Sequence, residues 1–190
     1  KSGVLNSSKT ILVHGLHLEA RERETIRHSQ CWVAQNMESN LKNRVGMFRA
    51  DGMGHRIMLG TDGMHSDMFR SAQAAFFAGQ VSEAPDPDFI YRRMRNVHRY
   101  LQANNFKGDG ENNLMVLDYD TPTPVSQTNF TGHLLFGMHQ GHVKHVISSG
   151  RLIVKDGVLQ TIDQEKMLKE SARQSQRLWK AIEQMRSGRS

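Results

Sequence analysis

Residues suited to hydrolysis stand at the ends of three short apolar runs. His14 follows Thr10–Val13, Gln35 and Asn36 follow Cys31–Ala34, and Asp62 follows Ile57–Gly60. In a parallel α/β sheet, functional groups gather where strands end and loops begin. A histidine and an aspartate from two such ends can meet across the mouth of one barrel. The carboxylate can bind a divalent metal ion and accept a proton from the bound water, and the imidazole can orient that nucleophile or carry the proton. Each residue also has a plainer role open to it. A strand-end aspartate can cap the next helix or turn, and a lone histidine after an apolar strand can be a satisfied core residue.

Other chemistry-bearing residues fit less well. His139, His142 and His145 recur at a spacing of three, which suits neither a helical i, i+4 pair nor one face of a strand, so they read as loop and strand-end residues. Cys31, the single cysteine, lies inside an apolar run with no activating neighbour and reads as a small core residue. One cysteine excludes an internal disulfide framework and fits a reducing, cytoplasmic setting.

The elements that must position these groups follow from the apolar pattern. Thr10–Val13, Cys31–Ala34 and Ile57–Leu59 are apolar without alternation, as strands covered on both faces are. Helical stretches are expected from Leu18 to His28, from Ser66 to Ala78 and from Asp88 to Leu101. This order is the rhythm of a parallel α/β sheet. Residues 104–113 form a polar, glycine-containing connector. Beyond it come a strand over Leu114–Leu117, a break at Thr121–Pro124, a hairpin from His142 to Leu159 with Asp156-Gly157 as a turn, and a helix from Asp163 to Met185.

The 190 residues suffice for one ordinary domain or two small ones. No apolar run approaches the roughly 20 residues that span a bilayer, so no membrane partner is expected. The net charge of +6 invites nucleic acid as a partner. Residues 151–190 carry nine Lys/Arg against five Asp/Glu, but the charges interleave along the last helix and no nucleic-acid motif accompanies them, so this partner is not expected.

At LGTDGMHSDMF the sequence resembles the amidohydrolase superfamily, within the chlorohydrolase and deaminase branch, nearest to aminohydrolases that carry a selenium-metabolism label. KTILVHGLHL is similar to that family's sixth barrel strand, and IMLGTDGMHSDMF to its eighth. CWVAQNMESNLKNRVG is similar to the seventh, whose pattern is His-Asn-x-x-Ser-Asn. LMVLDYDTPTP and VKHVISSGRLIVKDGVL are similar to strands of the small β-sandwich beside the barrel.

The resemblance implies an α/β fold: the C-terminal part of a TIM-barrel metal hydrolase (strands six to eight) at 1–105, part of a β-sandwich at 106–162, and a C-terminal helix at 163–190. It implies hydrolysis of a C–N bond in a small heterocyclic substrate, with ammonia released, by one zinc or iron(II) ion. Asp62 then corresponds to the strand-eight metal ligand that accepts a proton from water, and His14 to the strand-six histidine that holds the attacking hydroxide. Gln35, Asn36 and His65, with Met64, fall at the mouth as substrate-binding candidates, although His65 could instead be an exposed residue at the helix entry. A homodimer is common among similar enzymes.

The departures limit this reading. No His-x-His occurs in the chain, and the strand-five histidine and the glutamate three residues after it have no counterpart. Gln35 stands where the strand-seven histidine is usual and cannot shuttle protons. The metal-ligand set is therefore incomplete, and the chain, which does not start with methionine, is expected to be truncated and to need an N-terminal half. Three strands cannot close a barrel, so unpaired edges, poor folding and catalytic silence are expected of the chain alone. A degenerate, metal-free homologue serving as a binding or structural module is the alternative.

Overall fold

The computed structural model describes residues 3–106 and 112–188. The chain divides into two compact units, one of Lys1–Glu111 with Asp118–Val143 and the other of Asn112–Leu117 with Lys144–Ser190.

In the first unit, β1 (Ile11–Val13), β2 (Trp32–Gln35) and β3 (Ile57–Leu59) form a parallel sheet in that order. Register pairs Leu12 with Val33 and Val33 with Ile57. Val33 and Ile57 join Ile26, Cys31, Met37, Phe48 and Met53 in one buried cluster, against which Leu12 packs. This cluster binds α1 (Ala20–His28) and the loop after α2 (Met37–Lys42) to one face of the sheet. The free cysteine is buried, as a core residue should be.

A second cluster assembles Leu59 with Ala72, Ala75, Ile90 and Leu135. It joins β3 to α3 (Met68–Gly79), α4 (Pro87–Ala103) and α5 (Phe130–Phe136). Asp67 caps α3 by accepting hydrogen bonds from the Phe69 and Arg70 backbone N–H groups, which moves the start of this helix beyond the expected Ser66. Asp86 caps α4, with Pro87 at its first turn, where proline's missing N–H costs nothing. At the far end of α4, Tyr100 packs edge-on against buried Trp32, with ring centroids 5.8 Å apart.

Three features add to the sequence reading. The short helices α2 and α5 were not read from the sequence. Residues 118–143, assigned in sequence to a β-sandwich portion, fall in the first unit because Leu134 and Leu135 are buried in its interior. The outer edge of β3 is also less open than expected. Asn96 of α4 donates from Nδ2 to the carbonyls of His55 and Ile57 at 2.9 and 2.7 Å, two acceptors that face away from β2.

In the second unit, β4 (Leu114–Leu117), β5 (Val143–Ser148), β6 (Arg151–Lys155) and β7 (Val158–Leu159) form a four-stranded sheet in sequence order, antiparallel from β5 to β7. Two turns with paired left-handed residues make this meander. Ser149 and Gly150 have φ of 49° and 76°, and Asp156 and Gly157 have φ of 50° and 77°, the pattern of hairpin turns matched to strand twist. The helix α6 (Gln164–Ser187) is capped by Asp163. Its Leu168, Leu178, Trp179 and Met185 are all more than half exposed. Among the described residues, no helix is long and apolar enough to cross a membrane.

Candidate active site

The C-terminal ends of β1 and β3 bring two of the candidate residues together. His14 Nε2 lies 3.7 Å from Asp62 Oδ2, and both side chains are about two-fifths exposed. Both residues hold left-handed backbone, with φ of 70° at His14 and 54° at Asp62. That conformation costs a non-glycine residue on the order of 1–3 kcal/mol and collects at functional sites. The chain therefore turns sharply just after each strand and lifts both side chains over the end of the sheet.

Adjacent residues of α2 fix the pair. Asn40 Oδ1 lies 2.7 Å from His14 Nδ1, and a carbonyl oxygen can only accept, so Nδ1 carries the proton and donates. Nε2 is the ring nitrogen that faces Asp62. Ser39 donates to Asp62 Oδ2 at 2.6 Å, and the Gly63 backbone N–H donates to Oδ1 at 2.7 Å. The Ser39 hydrogen bond first, then the Gly63 N–H, and more weakly His14 and Lys42, hold the Asp62 carboxyl below the usual aspartate range against the small opposing effect of burial. Asp62 is thus an anion at neutral pH, with His14 Nε2 3.7 Å from its Oδ2. A carboxylate and an imidazole so placed can share a proton or flank the oxygen of a water molecule.

The donor types suit a divalent metal ion, but their number does not. Among the described residues, no group of three or more His, Cys, Asp or Glu side chains could hold a metal ion. His14 and Asp62 of this chain alone are not a metal site. His139 and His142 instead stack on each other, with centroids 3.7 Å apart, and bond to local backbone N–H groups.

The other candidates have different surroundings. Asn36 is buried against Gly60. A Cβ on Gly60 would come within 2.2 Å of Asn36 Oδ1, so only glycine lets the two strand ends approach this closely. His65 accepts from the Asp67 N–H through Nδ1 and therefore donates from Nε2 to Glu38 at 2.6 Å. Arg70 binds the other Glu38 oxygen. Burial raises the Glu38 carboxyl, but the Arg70 and His65 hydrogen bonds outweigh it and hold the group below the usual range. His65 thus stands at the helix entry but is only partly exposed, locked in an ion-paired network.

Gln35 is not brought to the His14–Asp62 pair as a free side chain. It is fully buried. Its Oε1 accepts from Arg93 at 2.7 Å, and Arg93 is clamped in turn by both oxygens of Glu83 at 2.6 and 3.0 Å. Among the described residues, Gln35 Nε2 has no hydrogen-bond partner. Sequence reading missed Ser39, Asn40 and Arg93. The first two lie inside the Ser-Asn of the strand-seven pattern and could have been found there. Nothing local in the sequence marks Arg93, whose role depends on a contact across 58 positions.

No family model matches the chain. It is similar to two curated proteins named 5-methylthioadenosine/S-adenosylhomocysteine deaminase. The one from Haloquadratum walsbyi is 26% identical over 188 residues, covering 90% of this chain and 42% of the relative. The one from Thermotoga maritima is 29% identical over 187 residues, covering 92% of this chain and 46% of the relative. The chain thus spans less than half the length of these relatives. Among solved structures, an adenosine deaminase from Xanthomonas campestris with bound zinc superimposes with a TM-score of 0.77 at 19% identity, covering 93% of this chain and 44% of that one. A triazine hydrolase variant does so with a TM-score of 0.65 at 12% identity, covering 88% and 40%. Both share its fold.

Proposed function

We propose that this chain, a member of the amidohydrolase superfamily matching its C-terminal portion, supplies the Asp62 and His14 side of a deaminase-type active site. The complete protein would hydrolyse a C–N bond of a small amino-substituted heterocycle: water adds to the ring carbon, ammonia leaves, and the ring keeps the oxygen. The observation that carries this reading is the 3.7 Å approach of His14 to Asp62 from the C-terminal ends of β1 and β3, which flank β2, each held by a neighbouring residue of α2.

The roles follow from the charge states. Asp62, anionic at neutral pH, accepts a proton from the attacking water. His14 Nε2 accepts a hydrogen bond from the same water and keeps its oxygen in line, while Asn40 prevents the ring from turning over. His65, Asn36 and Gln35 belong to the proposed mouth as well: His65 as part of the rim, fixed between Glu38 and the Asp67 N–H, Asn36 as the wall beside Gly60, and Gln35 as a buried brace behind them. A bound zinc or iron(II) ion would acidify the water toward neutral pH, with Asp62 as one ligand and the others supplied from outside this chain. Adenine-bearing thioether nucleosides, the compounds in the relatives' names, are the first substrates to try.

A second reading has an observation of its own. Gln35 is spent on Arg93 where proton transfer would call for a histidine, as in a metal-free homologue that only binds. One experiment separates the two. The complete protein is assayed for ammonia release and metal content beside Asp62→Asn and His14→Gln. Deamination with stoichiometric metal, cut on the order of 10²–10⁴-fold in kcat by either substitution, supports the enzyme. Turnover unchanged in both variants would falsify the assigned roles, and a metal-free, inactive complete protein supports the binding module.

A further inference from the structure

Away from the strand ends, α4 carries a concentration of positive charge that the proposed chemistry does not use. Arg92, Arg93, Arg95 and Arg99 line a single cavity of about 170 Å³ together with His55 and Phe89. None of the described residues that line it carries a carboxylate. Arg92, Arg95 and Arg99 are exposed and follow a spacing of three and four, which puts them on one helical face. Among the described residues, no carboxylate stands within ion-pair reach of these three, whose only side-chain hydrogen bond is a long 3.4 Å contact from Arg99 to Asn96 Oδ1. Like charges gathered this way repel, and protein surfaces ordinarily intersperse signs.

The fourth arginine is held differently. Arg93 is 2% exposed, and its terminal nitrogens are taken by Glu83 and Gln35. Its Nε is a buried atom without a hydrogen-bond partner among the described residues. An unsatisfied buried donor on a guanidinium opposes folding. The Phe89 ring lies under two of the guanidiniums, 5.5 Å from Arg92 and 4.3 Å from Arg93, which steadies them by cation–π attraction. The positive field is felt by His55. Burial, then Arg56 and Arg99, hold its imidazole below the usual histidine range, so that it meets a ligand at neutral pH as an uncharged ring.

We propose that this cavity is an anion site for a tetrahedral oxyanion of the phosphate class, either free orthophosphate or the terminal phosphate of a small monoester. Guanidinium forks match phosphate oxygens two at a time, and charge-assisted bonds of this kind are about twice as strong as neutral ones. The volume sets the limit on size. It lies below the roughly 300–1,000 Å³ of pockets that enclose drug-sized ligands, so the site holds a phosphate group and leaves the remainder of an ester outside. This inference does not rest on the deaminase reading.

The test uses the full chain. Orthophosphate, phenyl phosphate and chloride are titrated at matched ionic strength, with calorimetry and the melting temperature as readouts. Saturable one-to-one binding of orthophosphate, with a rise in melting temperature that chloride does not give, is the expected result. Equal affinity for the monoester makes the phosphate group the whole ligand, and tighter monoester binding assigns the site to esters. Arg95→Gln and Arg99→Gln each weaken binding on the order of tenfold. The same response from chloride overturns the proposal using the unmodified chain alone, and so does undiminished phosphate binding by the folded double variant.

Discussion

The two sheets of this chain use similar residues to different effect. β2 and β3 of the first unit are Trp-Val-Ala-Gln and Ile-Met-Leu, and all but Ala34 of these seven residues are buried. β4 of the second unit is Leu-Met-Val-Leu, and its first three residues are 56, 47 and 44% exposed. Among the described residues of the second unit, none is buried. The difference lies in what covers the strands. In the first unit, helices and ordered loops pack on the sheet and enclose two apolar clusters. A sheet or helix without a second layer has no interior, whatever its composition. Precise placement of polar groups is found where that layer exists: Asn40 on His14, Ser39 on Asp62 and Arg93 on Gln35 all belong to the enclosed unit.

The sharpest way to break this comparison is to hollow out each unit in turn. Phe48→Ala, at a fully buried position, should cost about 3–5 kcal/mol in urea denaturation followed by circular dichroism. Leu178→Ala, at a 58% exposed position of α6, should stay within about 0.5 kcal/mol. A comparable loss from Leu178→Ala would mean that a second molecule covers α6 in solution.

A substitution in the buried polar network comes next in size. Arg93→Ala leaves Glu83 charged and unpaired at a position 5% exposed, which should remove about 3–5 kcal/mol. Arg93→Met combined with Glu83→Gln removes both charges and should recover part of that loss in the same denaturation experiment. If the double variant is no better than the single, packing rather than charge holds β2 to α4.

The smallest effect is one of pH. The His55 pKa is lowered from its ordinary value of about 6.5, so as pH falls through that value the unfolded chain takes up a proton before the folded one does. Stability from this source is fully present above the ordinary value and is lost as pH drops toward the depressed one. His55 is largely solvated, so the slope is shallow. Melting temperatures of the parent chain and His55→Gln, compared from pH 7.5 to 5, should converge toward the acid end. Parallel curves would contradict it.

Much of the first unit was legible in sequence because its signals are local. Continuous apolar runs marked β1, β2 and β3, and the polar residue after each marked the rim. Asp62 and His14 were found the same way. What escaped depends on contacts between distant positions. The six residues of α2 carry no apolar periodicity, yet they provide Ser39 and Asn40, the groups that set the state of both candidate residues. α5 was hidden because its Leu134 and Leu135 become meaningful only once α3 and α4 offer a surface. The reach of Arg93 to Gln35, and of Asn96 to β3, requires knowing that α4 lies against the sheet.

The edge-on pair of Trp32 and Tyr100 has a use beyond packing. The chain contains two tryptophans, and one lies in each compact unit: Trp32 is 4% exposed and Trp179 is 61% exposed. One fluorophore sits in a dry interior and the other in water, so their emission separates by wavelength without any introduced label. The blue component then follows loss of the enclosed unit, and the red component registers anything that settles on α6. Coincident transitions would identify one cooperative molecule, and separate ones two.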